Sequence, residues 1–395
     1  MSNSDSTSCI LHVLHSLEIG GIETWLINLL KAKDDKFQFD FLLDTPGGYY
    51  EKDAKLAGAE IYYRKPVSKT DKIRMMLPWA SDTDSTLESL LASGKYKAIH
   101  CHCHEFAGNT LKTAQKYNIP IRISHSHSSN LANGKAGLGM KIRNYRFKTI
   151  NRRKILEYAT DIIACSDLSA EFVLGENWRN VKKYHSIYCG IPTSEFLSAK
   201  AKANRASLLK KYSLPNDAIV VGHIGRMSIP SVKNHKFLLE IFEELSKIDP
   251  RYHLFCAGDG HLRSEMLKLS AQKQLSNKVI LPGICDNTPE LLANLYDIFV
   301  FPSTKEGLGL VIAEAVASGI FTVCSDTIPS DIIEKFPERI LPFSLKKSPA
   351  DWAKIIASQI DNKIPTEAGA NLVNASPFAL STSQAKISHL YNKTL

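Results

Sequence analysis

The stretch Phe301-Pro-Ser-Thr-Lys-Glu306-Gly307-Leu308-Gly309-Leu310-Val-Ile-Ala-Glu314-Ala315 decides the fold. The residues just before it, Tyr296 to Phe301, form a short apolar run that reads as a buried strand. A Gly-x-Gly turn and a helical pattern follow. Strand, glycine turn and helix place a helix N-terminus at the carboxyl end of a parallel strand, an anion site with two acidic groups beside it. On one unbroken helix, residues eight apart lie about 12 Å apart along the axis. Gly307 and Gly309 instead predict that the helix begins near Leu310, with Glu306 on the loop and Glu314 in an early turn. Both carboxylates then face one ligand, and the N–H groups of Gly309 and Leu310 point at a phosphate. Either glutamate alone also reads as a solvated loop acid or a helix-dipole partner. The whole string is what argues for a site.

Working outward, 395 residues exceed one ordinary core, so two domains are expected. With 44% hydrophobic and 23% charged residues the composition is that of a soluble globular chain. No run of 18 apolar residues exists, which excludes a spanning helix. The polar start, Met1 to Ser8, lacks the basic and apolar regions of a signal peptide and reads as a short disordered leader. The expected location is the cytoplasm, with peripheral attachment to the inner face of the cell membrane. Eight scattered cysteines read as reduced thiols.

The net charge of +9 suits phosphorylated substrates, an anionic membrane or nucleic acid. Part of it is concentrated at 135–154, which holds eight Lys/Arg and no Asp or Glu, interleaved with apolar residues. Two readings stay open there: a basic helix lying on anionic lipid, or a solvated helix docked by its apolar stripe. Nucleic acid is not expected as a partner, because no helix-turn-helix or zinc pattern is present.

Strand-like and helical patterns alternate throughout, which means parallel sheet with crossover helices. The first unit closes near Pro192. A polar, lysine-rich stretch from Ser198 to Lys211 follows, Leu214-Pro215-Asn216 is a breaker, and the alternation restarts at Ala218. The expected domains are 1–192 and 193–375, with a C-terminal helix, about 376–395, packing back on the first.

Three further constellations carry chemistry. Gly225-Arg226 and Lys233 flank a loop after the first strand of the second domain, where two cations suit a departing diphosphate. Gly20-Gly21 occupies the matching place in the first domain and lets backbone approach a ligand; it is not a dinucleotide fingerprint. Histidines cluster at His100, His102 and His104, alternating with cysteines, and again at His125 and His127. In a strand this alternation sends cysteines and histidines to opposite faces, and no second metal-ligand half exists, so no metal is expected. His125 and His127 end a strand, where they reach a sugar hydroxyl or the reacting centre, or simply pack.

Together these elements resemble the retaining glycosyltransferases of the two-Rossmann GT-B fold with the E-x7-E motif, the family 4-like enzymes of capsule and exopolysaccharide synthesis. The resemblance implies an α/β architecture of two doubly wound domains with the active site in the cleft between them. It implies that Arg226 and Lys233 bind the donor diphosphate without a metal ion or other cofactor. Glu306 contacts the donor sugar, Glu314 the ribose, and Ile284 lies by the nucleobase. His127 joins Arg226, Lys233 and Glu306 as catalytic, while Gly20, Gly21, His125, Gly225, Gly307, Leu308, Gly309 and Leu310 line the substrate. The implied reaction moves a hexose, with retention, from a UDP-linked or other nucleotide sugar to a lipid-linked or saccharide acceptor. The chain departs from the family at Cys189-Gly-Ile-Pro192 and at Pro230. A GT-B UDP-sugar epimerase, or a non-catalytic basic protein binding membrane or nucleic acid, is the alternative.

Overall fold

The computed structural model describes residues 7–65, 84–103, 107–127, 145, 147–229 and 231–393. Two compact units result: Met1–Gly190 together with Leu380–Leu395, and Ile191–Ala379. The boundaries expected at 192 and 375 lie a few residues from these.

Unit 1 is a seven-stranded parallel sheet. Its strands are β1 (Ser8–Leu14), β2 (Phe37–Leu43), β3 (Ile61–Tyr63), β4 (Tyr96–Cys101), β5 (Ile121–Ser126), β6 (Asp161–Ala164) and β7 (Tyr184–Ser186). They lie in the order β3-β2-β1-β4-β5-β6-β7. The order reverses direction beside β1, the switch point at which doubly wound sheets bind ligands. Alternation along the strands sorts side chains onto two faces. Leu11, Val13, Ile99 and Cys101 join an aliphatic core on one face. The other face carries His12, His100 and His125, each fully buried.

That second face is covered from both ends of the chain. Trp25, on the helix Gly21–Lys31, is fully buried, and its indole N–H donates to Ser383 Oγ at 3.2 Å. Ser383 and the fully buried Tyr391 belong to the helix Leu380–Tyr391.

Unit 2 repeats the plan with six strands: β8 (Ile219–Ile224), β9 (Tyr252–Ala257), β10 (Val279–Gly283), β11 (Ile298–Phe301), β12 (Thr322–Ser325) and β13 (Ile340–Phe343). Their order is β10-β9-β8-β11-β12-β13. β7 and β13 were not legible in sequence. Both are short edge strands, and β13 carries Pro342, which an edge tolerates because one side needs no donors.

The polar stretch 198–211 lies in two helices, Thr193–Lys202 and Arg205–Lys211. Buried Phe196, Leu208 and Leu209 seat them on unit 2. Arg205 fastens the second by donating to the Leu295 and Ala218 carbonyls and pairing with Asp297, at 2.6–2.7 Å. The polar composition reflects the outward faces of these helices, not the absence of structure.

Candidate functional site

In unit 2 three glycine loops stack at the strand ends. Gly258 has φ +130°, and a Cβ there would sit 2.2 Å from the Gly225 carbonyl oxygen. Gly260 has φ +146° and presses equally on the Met227 carbonyl. Only glycine meets both demands, positive φ and direct backbone contact. Hydrogen bonds complete the stack: Gly225 N–H donates to Ala257 O, and Gly258 N–H to Gly283 O. The loop after β8 is thereby fixed on the loops after β9 and β10, and Gly225 is held in place. Arg226 is exposed beside it, and Ile284, after Gly283, is 55% exposed.

Lys233 ends the same loop. Its ammonium pairs with Glu306 Oε1 at 2.7 Å and lies 4.6 Å from the centre of the Phe301 ring. Asn234 follows in the left-handed region, φ 58°, and caps the helix His235–Ile248. Thr304 N–H donates to Val232 O at 2.8 Å, tying the loop after β11 to the loop after β8. The helix Leu310–Ala317 begins where the glycine turn requires, with Gly309 as its left-handed N-cap at φ 82°. Glu306 is on the loop, and Gly307 and the buried Leu308 connect it to the helix. Glu314 is half-buried in the helix's second turn. The protein packed around its carboxyl, and then the charge of Glu195, push its pKa up to about 7.

Arg226, Lys233, Glu306 and Glu314 are thus mounted on two hydrogen-bonded loops and one helix of unit 2. Cation and carboxylate already satisfy each other at Lys233 and Glu306, an arrangement a polyanionic ligand would rearrange. A cavity of about 610 Å³ in unit 2 is lined by Glu195, Lys202, Asp286 and Glu290 among others, and it borders the candidate site through Glu195, whose charge acts on Glu314.

In unit 1 the outcome differs from expectation. Gly20 is not in a glycine-only conformation; its φ is −170°. Its lack of a side chain leaves room for Glu23, whose carboxyl oxygen would lie 2.3 Å from a Cβ there. Gly21 is the exposed first residue of the helix. His125 and His127 belong to a ring-to-ring network. His12 Nδ1 faces His102 Nε2 at 3.1 Å, and His102 Nδ1 faces His127 Nε2 at 2.9 Å. His127 Nδ1 faces Cys189 Sγ at 3.6 Å. His100 Nε2 faces His125 Nδ1 at 3.1 Å, and His100 Nδ1 meets the Tyr391 hydroxyl at 2.6 Å. Burial pushes His12 down to about 3 and holds His100 and His102 far below the usual imidazole range, so these three are neutral.

The alternation along β4 does separate cysteines from histidines, since Cys101 and Cys103 pack on the aliphatic side. The reading of one strand missed that three neighbouring strands aim their histidines at the same place. His12 pairs in register with His100, and Cys101 with Ser124, which brings the histidine positions abreast. Two groups, His12 with His100 and His102, and His102 with His125 and His127, have the proximity needed to hold a metal ion. His104 and most of 135–154 lie outside the described residues. Within that segment Arg152 donates to the Phe172 and Val173 carbonyls, and Lys154 to Asn109 Oδ1, so both hold protein groups.

Two family models match the chain side by side: Glycosyltransferase Family 4 over residues 19–195 and Glycosyl transferases group 1 over 218–362. The chain is a GT-B glycosyltransferase. It is similar to EpsF of Bacillus subtilis, a glycosyltransferase by its assigned name, with 29% identity over 90% of this chain and 88% of that protein. It is also similar to the O-antigen biosynthesis glycosyltransferase WclY of Escherichia coli, 26% identical over 53% of this chain and 56% of that one. Among solved structures, Anabaena HepE in complex with UDP and glucose superposes with a TM-score of 0.75. The identity there is 16%, over 98% of this chain and 99% of that chain, which speaks for the fold alone. In this glycosyltransferase the group 1 match spans Arg226, Lys233, Glu306 and Glu314, and the family 4 match spans the histidine network from His100 to His127. No described helix is long and apolar enough to cross a membrane.

Proposed function

We propose that this glycosyltransferase moves a hexose from a nucleotide sugar, UDP-linked by preference, to a lipid-linked or saccharide acceptor in surface polysaccharide synthesis, with retention of configuration. The observation that carries the reading is the Lys233–Glu306 pair, held where the loops after β8 and β11 are hydrogen-bonded together. Arg226 and Lys233 would meet the charge that develops on a departing diphosphate, in place of a metal ion. Glu306, released from Lys233, would turn to the donor sugar. Glu314 would accept from the ribose hydroxyls, and Ile284 would lie against the base. Gly225, Gly307, Leu308, Gly309 and Leu310 would shape the backbone around the phosphates. The expected roles of His125 and His127 at the sugar are not part of this proposal, because both nitrogens of His127 and Nδ1 of the fully buried His125 face other groups of unit 1.

The relatives support the choice of substrate class. WclY acts in O-antigen biosynthesis, and HepE has been crystallised with UDP, glucose and UDP-glucose. A Komagataeibacter xylinus relative, 23% identical over 82% of this chain, is a GDP-mannose:cellobiosyl-diphosphopolyprenol alpha-mannosyltransferase, so the nucleotide needs a direct test. The test is nucleotide release from a panel of UDP- and GDP-sugars with polyprenyl-diphosphate saccharide acceptors, followed by NMR of the new linkage. A single preferred UDP-hexose and an axial product linkage are expected. Release from no nucleotide sugar, or inversion, would defeat the proposal.

A further inference from the structure

The histidine network on unit 1 is larger than a packed core requires. Five imidazoles and a tyrosine hydroxyl share one sheet face that in unit 2 is mostly aromatic. We propose that His102, His125 and His127 hold one divalent transition-metal ion, zinc being the best match, as a structural centre of unit 1.

The positions suit an ion. One ring nitrogen from each of the three lies within 4.8 Å of the others. His102 Nδ1 and His127 Nε2 are 2.9 Å apart. Tetrahedral zinc, with bonds of 2.0–2.1 Å to nitrogen, separates its ligand atoms by roughly 3.4 Å. That pair must open by about 0.5 Å, and the stacked rings of His125 and His127, 3.8 Å between centres, must turn toward a common point to take the ion.

The remaining ring nitrogens strengthen the argument. His102 turns Nε2 to His12, His127 turns Nδ1 to Cys189, and His125 turns Nδ1 to His100. Each ligand is thus oriented by an outer partner through its second nitrogen, the arrangement that fixes metal-binding imidazoles. His100 is in turn held by Tyr391.

Of the two possible triplets, this one has the better route and the better charge. His12 and His100 are wholly buried, whereas His127 is 8% exposed just beyond the end of β5. A buried divalent cation needs compensating negative charge. Cys189 lies against His127, and the negative charge of Glu23 is close to it. Ligation through both His102 Nδ1 and His127 Nε2 moves the proton they share to an outer ring nitrogen, so each imidazole binds as the neutral tautomer. An all-imidazole donor set with no hard oxygen ligand selects zinc, nickel or copper over magnesium or calcium.

The experiment uses the tag-free full chain, stripped with a chelator and titrated with Zn²⁺ by calorimetry in buffers of different ionisation enthalpy. Co²⁺ serves as the spectroscopic probe. One ion per chain, an intense visible cobalt band of tetrahedral type and a higher Tm with Zn²⁺ are expected. H127Q, at the end of the strand, should fold as wild type by circular dichroism and bind about 100-fold more weakly or not at all. C189A, which removes only an outer partner, should weaken binding by about 10- to 100-fold. Wild-type protein that takes up no stoichiometric Zn²⁺, or H127Q that binds it as tightly as wild type, overturns the site.

Discussion

The two units follow the same strand course, yet they use the face beside the first strand in opposite ways. In unit 1 that face is a closed network: His12, His100, His102, His125 and His127 face one another, capped by Trp25 and Tyr391. In unit 2 the related histidine, His223, donates from Nδ1 to the Val300 carbonyl and stacks on Phe301. Phe301 then carries the Lys233 ammonium over its ring, beside Glu306. One scaffold directs its polar groups inward to one another, the other outward to a loop where a ligand can displace an ion pair. The lesson is that a doubly wound sheet supplies a switch point, but side chains decide whether it becomes core or site.

The most severe challenge to this contrast is Trp25→Ala. If the histidine face is core, removing its fully buried cap should cost unit 1 about 3–5 kcal/mol. Urea unfolding followed by signals from each unit should show unit 1 melting first. A loss confined to activity, with stability intact, would recast that face as a site.

Lys233→Ala tests the other half. Loss of one preorganised cation facing developing charge typically costs about 3–4 kcal/mol in the transition state, on the order of 100- to 1,000-fold in turnover. Arg226→Ala should behave alike, with little change in Tm for either variant. Wild-type turnover in a folded double variant would remove both from the chemistry.

Glu314 sharpens the contrast through pH. Its pKa is raised from an ordinary 4.5 to about 7. The folded state therefore prefers the neutral acid. The associated stability is complete below about pH 4.5, falls as pH rises to 7, and is gone above that. The shift corresponds to at most about 3 kcal/mol. Glu314→Gln should abolish this decline, making unit 2 more stable than wild type at pH 8, while weakening nucleotide binding in calorimetry. Equal stability of variant and wild type at pH 8 would show that the carboxylate is not strained in the apo protein.

Tyr391→Phe should have the smallest effect. It leaves His100 Nδ1 without its hydroxyl partner in a buried place, which costs about 1–3 kcal/mol. The loss should appear in unit 1 only, by denaturant melts.

Much of unit 2 was legible because its signals are local. Gly307 and Gly309 predicted a helix start near Leu310, and the helix begins there because Gly309 adopts φ 82°. The strands with apolar runs were legible for the same reason. The helices at 193–211 show a mostly polar sequence, and what seats them, buried Phe196, Leu208 and Leu209 and the bond from Arg205 to the distant Leu295 carbonyl, is tertiary.

The sequence by itself determined the alternation of strands and helices, hence two parallel-sheet units, and the glycine turns that terminate their strands. Those properties depend on the periodicity and backbone freedom of neighbouring residues. Only the tertiary structure decided that His12, His100, His102, His125, His127 and Tyr391 form one network, and that Lys233 meets Glu306. These partners lie up to 379 residues apart, and it is strand order and register, set by packing of the whole sheet, that bring them within hydrogen-bonding distance.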